Sequence, residues 1–215
     1  LTLLGFLLLF GGTSPERVIY IVTGSSTNAV SLQAGLSLGQ RIGHMKARRV
    51  FEYYASLPIT KTSFILGLNL KALVLCVPST FTLLMIALLA FNLHLVNPGL
   101  FLIAFLLGGF SLAGIGAMIG FYSRSGRIAG LVTQIVDPIL VFFAPVYMPQ
   151  TMLPIWLRYI AQVLPTMHVA RLLRGALGHV TGGIWESIVI LVGFVIVSFI
   201  LVERGLDWRG ERPLD

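Results

Sequence analysis

The chain has 215 residues, of which 56% are hydrophobic and only 11% charged, against roughly 25% charged in a soluble domain. With a mean hydropathy of +0.92 carried by most of its length, it is not a disordered protein, a coiled coil or an ordinary cytosolic enzyme. The net charge is +7, but the basic residues sit between apolar runs, a distribution that orients a membrane protein rather than one that binds nucleic acid.

A bilayer core takes about 20 apolar residues per helical span, which predicts an all-α polytopic membrane protein of six spans, with residues 1–215 forming one transmembrane domain. The first apolar segment, Leu1–Phe10, is too short to cross and reads as the outer end of a longer first span. The second runs from Val18 to about Gln40 and carries Thr23, Ser25, Ser26, Thr27, Asn28, Ser31, Gln33, Ser37 and Gln40. The third covers about Phe64–Phe91, with a kink expected at Pro78. The fourth covers Leu100–Tyr122, the fifth Ile128–Tyr147 and the sixth Ile184–Val202; a charged tail follows.

The connections differ in charge. One set holds Arg41, Lys46, Arg48, Arg49, Lys61, Arg124, Arg127, Arg204, Arg209 and Arg212; the opposite set holds Arg17, Arg158, Arg171 and Arg174. The bias places the loop after the second span, and both termini, in the cytoplasm of a multi-pass plasma-membrane protein.

Catalytic patterns are missing from the sequence. It has no G-x-x-x-x-G-K-[ST] phosphate loop, no H-E-x-x-H and no Cys/His cluster at metal spacing. His44, His94, His168 and His179 are scattered, and Cys76 is the only cysteine. The chain reads as a non-enzyme with no cofactor of its own.

Four features carry information. The polar second span needs a face turned away from lipid, either as helix–helix glue or as the wall of a substrate path through Ser26, Asn28, Ser31 and Gln33. Asp137, in the fifth span and followed by Pro138, is costly at membrane depth; it joins that path, or its carboxyl accepts local backbone donors. Within Gly43–Pro58, the stretch Met45–Ser56 predicts a helix of about three turns on the cytoplasmic side, lying on anionic headgroups or docking a cytosolic protein. Met148–Gly182 is divided by Pro149, Pro154 and Pro165 into two short amphipathic helices, Ile155–Leu164 and Met167–Leu177. They predict an outer re-entrant or interfacial hairpin in which Trp156 and Tyr159 anchor and Arg158, Arg171 and Arg174 reach the headgroups.

The stretch Arg49-Val50-Phe51-Glu52-Tyr53-Tyr54-Ala55-Ser56-Leu57-Pro58-Ile59-Thr60-Lys61 is similar to a Glu-x-x-x-x-Leu/Ser-Pro loop. The stretch running from Ala144-Pro145 through Pro149, Leu153-Pro154, Trp156, Leu164-Pro165 and His168 to Arg171 and Arg174-Gly175 is similar to a proline-bounded outer hairpin. Together they resemble the permease subunits of type-2 ABC exporters, whose cargo includes drugs, lipids and polysaccharides. Phe143-Ala144 stands where that family commonly has Ser-Gly. The resemblance implies two permease copies, as a homodimer or a paralogous heterodimer among membrane lipids. Separate ABC subunits would bind ATP and Mg and close below them. It also implies that Arg48, Arg49, Phe51, Glu52 and Tyr54 contact the ATPase, and that the second and fifth spans line an export route for an amphiphile. The basic outer residues lean toward an anionic headgroup. A proton-coupled carrier using Asp137, and a scaffold without transport, stand as alternatives.

Overall fold

A computed structural model describes residues 15–91, 93–123, 125–180 and 182–205. The first apolar segment lies outside these residues, as do Arg124, Arg209 and Arg212. Among the described residues the chain is helical and has no strand. Helix α1 (Pro15–Val30) passes through a π-helical turn (Ser31–Leu36) into α2 (Ser37–Ala47). After a turn come α3 (Val50–Ala55) and α4 (Lys61–Phe91), which runs through Pro78. Then follow α5 (Pro98–Tyr122), α6 (Gly126–Phe142), a 3-10 turn (Gln150–Met152), α7 (Ile155–Val163), α8 (Pro165–Ala176) and α9 (Ile184–Gly205).

Among the described residues, three stretches are long and apolar enough to cross a membrane: Thr62–Ile86, Pro98–Tyr122 and Ile184–Arg204. Helix α6 has only 17 residues, about 25 Å at 1.5 Å per residue. The fifth segment therefore stops five residues before its expected end at Tyr147. Pro145 explains the early stop, because it cannot donate a helical N–H and it biases Ala144 away from helix.

Helix α5 is the centre of the bundle and packs against α1, α2, α4, α6, α8 and α9. Its start is fixed by Asn97, whose Oδ1 accepts the Leu100 N–H at 3.0 Å, with Pro98 in the first helical position. Between helices in lipid there is no hydrophobic driving force, so small residues that permit close backbone contact decide the packing. Gly108, Gly116 and Gly120 provide it. A Cβ on Gly108 would meet Val169 of α8, and one on Gly120 would stand 2.7 Å from Ile42 of α2. The main core lies between α2, α4 and α5, where Leu38, Ile42, Phe64, Ile65, Leu112 and Ala117 are buried.

The outer faces of α4, α6 and α9 are apolar and exposed, with Leu70, Val74, Phe81, Ile135, Ile139, Val189 and Ile196 among them. Water would not tolerate a continuous apolar surface of that kind; lipid or another membrane helix would.

Candidate functional site

The basic segment after α2 begins as a continuation of the polar helix. Arg48 and Arg49 then form a turn in which Arg49 adopts a left-handed backbone, φ 54°. This corrects the single three-turn helix expected over Met45–Ser56: Met45 and Lys46 end α2, and only Val50–Ala55 forms the separate helix α3. Lys46 holds the elbow in place. Its Nζ donates to the carbonyls of Phe121 (3.2 Å) and Ser123 (3.1 Å) at the C-terminus of α5, where a cation also meets the negative end of the helix dipole.

The elbow has two faces. Phe51 is buried, with ring centroids 5.9 Å from Phe64 and 5.7 Å from Phe121. Tyr54 packs on Phe64 at 4.9 Å. Arg48, Arg49, Glu52 and Tyr53 face outward, and Arg49 Nε lies 3.9 Å from Glu52 Oε1. The five residues named from sequence thus divide: Phe51 and Tyr54 root α3 on the bundle, while Arg48, Arg49 and Glu52 are presented outward. Tyr53, passed over in the sequence, is 65% exposed. Its i,i+3 offset from Val50, which faces partly inward, is no guide in so short a helix.

The second cluster lies deep in the bundle. Ser31, the first residue of the π turn, donates its hydroxyl to Asp137 Oδ1 at 2.6 Å. Asp137 is half-buried on α6, and the helix runs on past Pro138 to Phe142. The Asp-Pro pair therefore does not mark a helix break, and the hydrogen bond recorded for the carboxyl comes from another helix. Ser31, Gly35, Gly116, Ile119, Thr133, Asp137 and Leu140 line a small half-open cleft with internal room for about one water-sized group. That is far below the roughly 300–1,000 Å³ of pockets that enclose drug-sized ligands, so the cleft admits a small polar group and not the body of such a molecule.

Tyr147 extends this polar region. Its ring packs on Gly24, where a Cβ would stand 2.6 Å from the ring, and Ser25 and Asn28 flank it. The Tyr147 and Ser25 hydroxyls are buried with no hydrogen bond of good geometry. Ser26 stands about 200° around the helix from Asn28 at 100° per residue, and Gln33, two residues past Ser31 in the wider π turn, lies on the far side from it. Of the sequence-named path residues, Asn28, Ser31 and Asp137 therefore share a region, and Ser26 and Gln33 are directed elsewhere. Thr133, Tyr147 and Gly35 were missed. The spacing Gly35-x-x-x-Gly39-x-x-x-Gly43, a close-packing signature, was the available clue to Gly35: a Cβ on Gly39 would stand 2.7 Å from the Gly116 carbonyl oxygen, and one on Gly43 2.7 Å from Gly126.

The third cluster is the hairpin of α7 and α8. Its outward side carries Trp156 (61% exposed), Ile155, Tyr159 and Val163. The arginines do not reach outward as expected. Arg174 is 6% exposed: its Nε donates to Thr23 Oγ1 at 3.3 Å, and its Nη2 donates to the carbonyls of both Pro145 and Val146. Its guanidinium also lies 4.1 Å from the Tyr20 ring centroid. Arg171 contacts Gln150 Oε1 at 3.4 Å and Glu186 Oε2 at 3.9 Å, and Arg158 Nε donates to Leu153 O at 3.0 Å. The reason is electrical: loop carbonyls in an apolar setting need donors, and an arginine fork supplies several from one side chain. Arg174 therefore drops out of the outer cations behind the lean toward an anionic headgroup, whereas Arg17 is exposed.

His168 completes the hairpin. Its Nε2 donates to the Gln162 carbonyl at 2.8 Å and its Nδ1 lies 3.1 Å from Ser187 Oγ. Burial pushes its imidazole below the ordinary histidine range.

The family model described as ABC-2 family transporter protein matches residues 10–202 of this chain. No curated protein matches it.

Proposed function

The chain belongs to the ABC-2 transporter family, and from that premise we propose that it is the permease subunit of an ATP-driven exporter that moves an amphiphile out of the cytoplasm or the inner leaflet. Membership makes it a membrane-embedded transport component, generally not catalytic itself, and implies an ABC ATP-binding partner. In the finer reading, two copies, or this chain and a paralogue, form the route in the plasma membrane. ATP and Mg are bound by the partner alone, and this chain needs no cofactor. Helices α1–α2 and α6 cross the bilayer with the three long apolar helices. The α7–α8 hairpin lies on the outer side, and the Arg204 end of α9 and the Arg48–Ser56 elbow lie in the cytoplasm.

The observation that best supports this is the build of the elbow. A short helix that presents Arg48, Arg49, Glu52 and Tyr53 outward is rooted by Phe51 between Phe64 of α4 and Phe121 of α5. A push on its outer face is delivered to two long helices without being absorbed by a loose loop. ATP-driven closure of the partner then shifts the permease between states through different contact energies in each. The cargo is a drug, lipid or lipid-linked glycan, taken up along the Asn28–Ser31–Asp137 face.

The test is co-purification of the full-length protein with candidate ABC ATP-binding subunits, followed by hydrolysis measured with candidate lipids and drugs. Stable association and stimulated hydrolysis are expected. Transport by the purified chain with no nucleotide-hydrolysing partner would contradict the reading.

A further inference from the structure

We propose that the cleft at Ser31 and Asp137 receives the positively charged amine group of an amphiphile. This rests on the reading of the chain as a permease, and it names the chemical class of the cargo headgroup. Asp137 stands eleven residues along α6 from Gly126, about 16 Å at 1.5 Å per residue, close to the middle of a hydrocarbon core roughly 30 Å thick.

A carboxylate at that depth needs compensation, since it offers about four acceptor positions. One is met by the Ser31 hydroxyl at 2.6 Å. Among the described residues the ion pairs are Arg49–Glu52 and Arg171–Glu186, and neither involves Asp137. The buried cation Arg174 is committed to Thr23, Pro145 and Val146. The remaining acceptor capacity therefore faces a cleft that no protein cation fills.

The lining fits an ammonium head. Ser31 and Thr133 bring hydroxyls, Gly35 and Gly116 bare backbone, and Ile119 and Leu140 apolar walls. The Thr133 hydroxyl donates to Ala129 O at 2.8 Å, which leaves its oxygen lone pairs for an incoming N–H. The cleft has room for about one water-sized group, which a primary ammonium head matches, and the tail leaves over the exposed apolar surface of α6. The π turn begins at Ser31; such turns widen a helix and re-aim its side chains, often at functional sites. An anion on the same tail would meet the carboxylate with like charge.

The experiment uses the purified chain in phosphatidylcholine nanodiscs and compares radiolabelled dodecylammonium with dodecanol, which shares its tail. The wild type should hold dodecylammonium above the level of empty discs, and Asp137→Asn should weaken it at least tenfold while leaving dodecanol unchanged. Equal dodecylammonium binding by the two proteins would overturn the proposal, as would an equal loss of both probes by a folded variant. If Asp137→Asn fails to fold, the wild type still decides. Modification of Asp137 by dicyclohexylcarbodiimide should be slowed by dodecylammonium and not by dodecanol; no protection, or protection by both, would overturn the proposal. Neither assay involves an ATPase. Failure here leaves the ATP-driven reading standing, and failure to find an ATPase leaves the binding result intact.

Discussion

Gly35 in the π turn and Gly116 in α5 meet backbone to backbone: a Cβ built on Gly116 would stand 1.9 Å from the Gly35 carbonyl oxygen. No side chain separates the two helices there, and the cleft at Asp137 borders this crossing. The contact is with backbone, so a neighbouring rotamer cannot relieve it. Gly116→Ala should push the helices apart and cost about 1–3 kcal/mol or more, in the range of an overpacked core. Gly67 on α4 has nothing within 4 Å of its Cβ position, so Gly67→Ala should be neutral or stabilise by up to about 1 kcal/mol. Thermal unfolding of the two variants in one detergent measures the contrast.

Arg174 joins α8 to α1 and to the turn after α6. Arg174→Met would strand the Pro145 and Val146 carbonyls, at about 1–3 kcal/mol for each buried acceptor left without a donor. Arg174→Lys restores the charge but not the planar fork and should fall between the two. The exposed Arg41→Met should stay within about 0.5 kcal/mol of wild type. Proteolysis near residues 143–149, together with the melting temperature, reports the difference.

The two faces of α3 should separate stability from coupling. Phe51→Ala removes contacts with Phe64 and Phe121 and should destabilise the chain by about 3–5 kcal/mol. Tyr53→Ala and Glu52→Ala should change stability by less than about 0.5 kcal/mol. They should nonetheless weaken ATPase association about tenfold, the size of a modest interface hot spot. Unfolding curves and co-purification yields, taken on the same preparations, check both halves.

His168 gives a pH prediction. In the unfolded chain it takes up a proton near its ordinary value of about 6.5, whereas burial in the hairpin holds the folded imidazole neutral to lower pH. The unfolded state then binds more protons on acidification. The stability is fully present above the ordinary value and is lost as pH falls through it toward the folded one. The melting temperature should drop between about pH 7.5 and 5, and His168→Asn should reduce that drop.

Much of the architecture was legible because α4, α5 and α9 are long apolar runs with turn residues at their ends. Asn97-Pro98 marks the start of α5 in the sequence as plainly as in the structure. The end of α2 was not legible: nothing local in Lys46-Ala47-Arg48-Arg49 announces a left-handed Arg49, which is held where Lys46 reaches the end of α5. Long-range pairings were equally hidden. Ser31 and Asp137 are 106 positions apart and Thr23 and Arg174 are 151 apart, so composition could mark Asp137 as costly without naming its partner. Arg174 looked like a headgroup anchor because an arginine near a span end usually is one. Only the fold supplies the carbonyls that draw it inward.

The account centres on the elbow as the place where an ATPase acts from the cytoplasm. Cys76 is buried, so a single Tyr53→Cys substitution supplies one accessible thiol. Maleimide labelling and cross-linking of that thiol test the claim most directly. The account predicts no labelling by a membrane-impermeant maleimide in intact cells, labelling in inside-out vesicles, and a cross-link to the ATP-binding subunit that changes with nucleotide. Labelling from outside the cell, or a thiol open in the cytoplasm that never cross-links to that subunit, would contradict it.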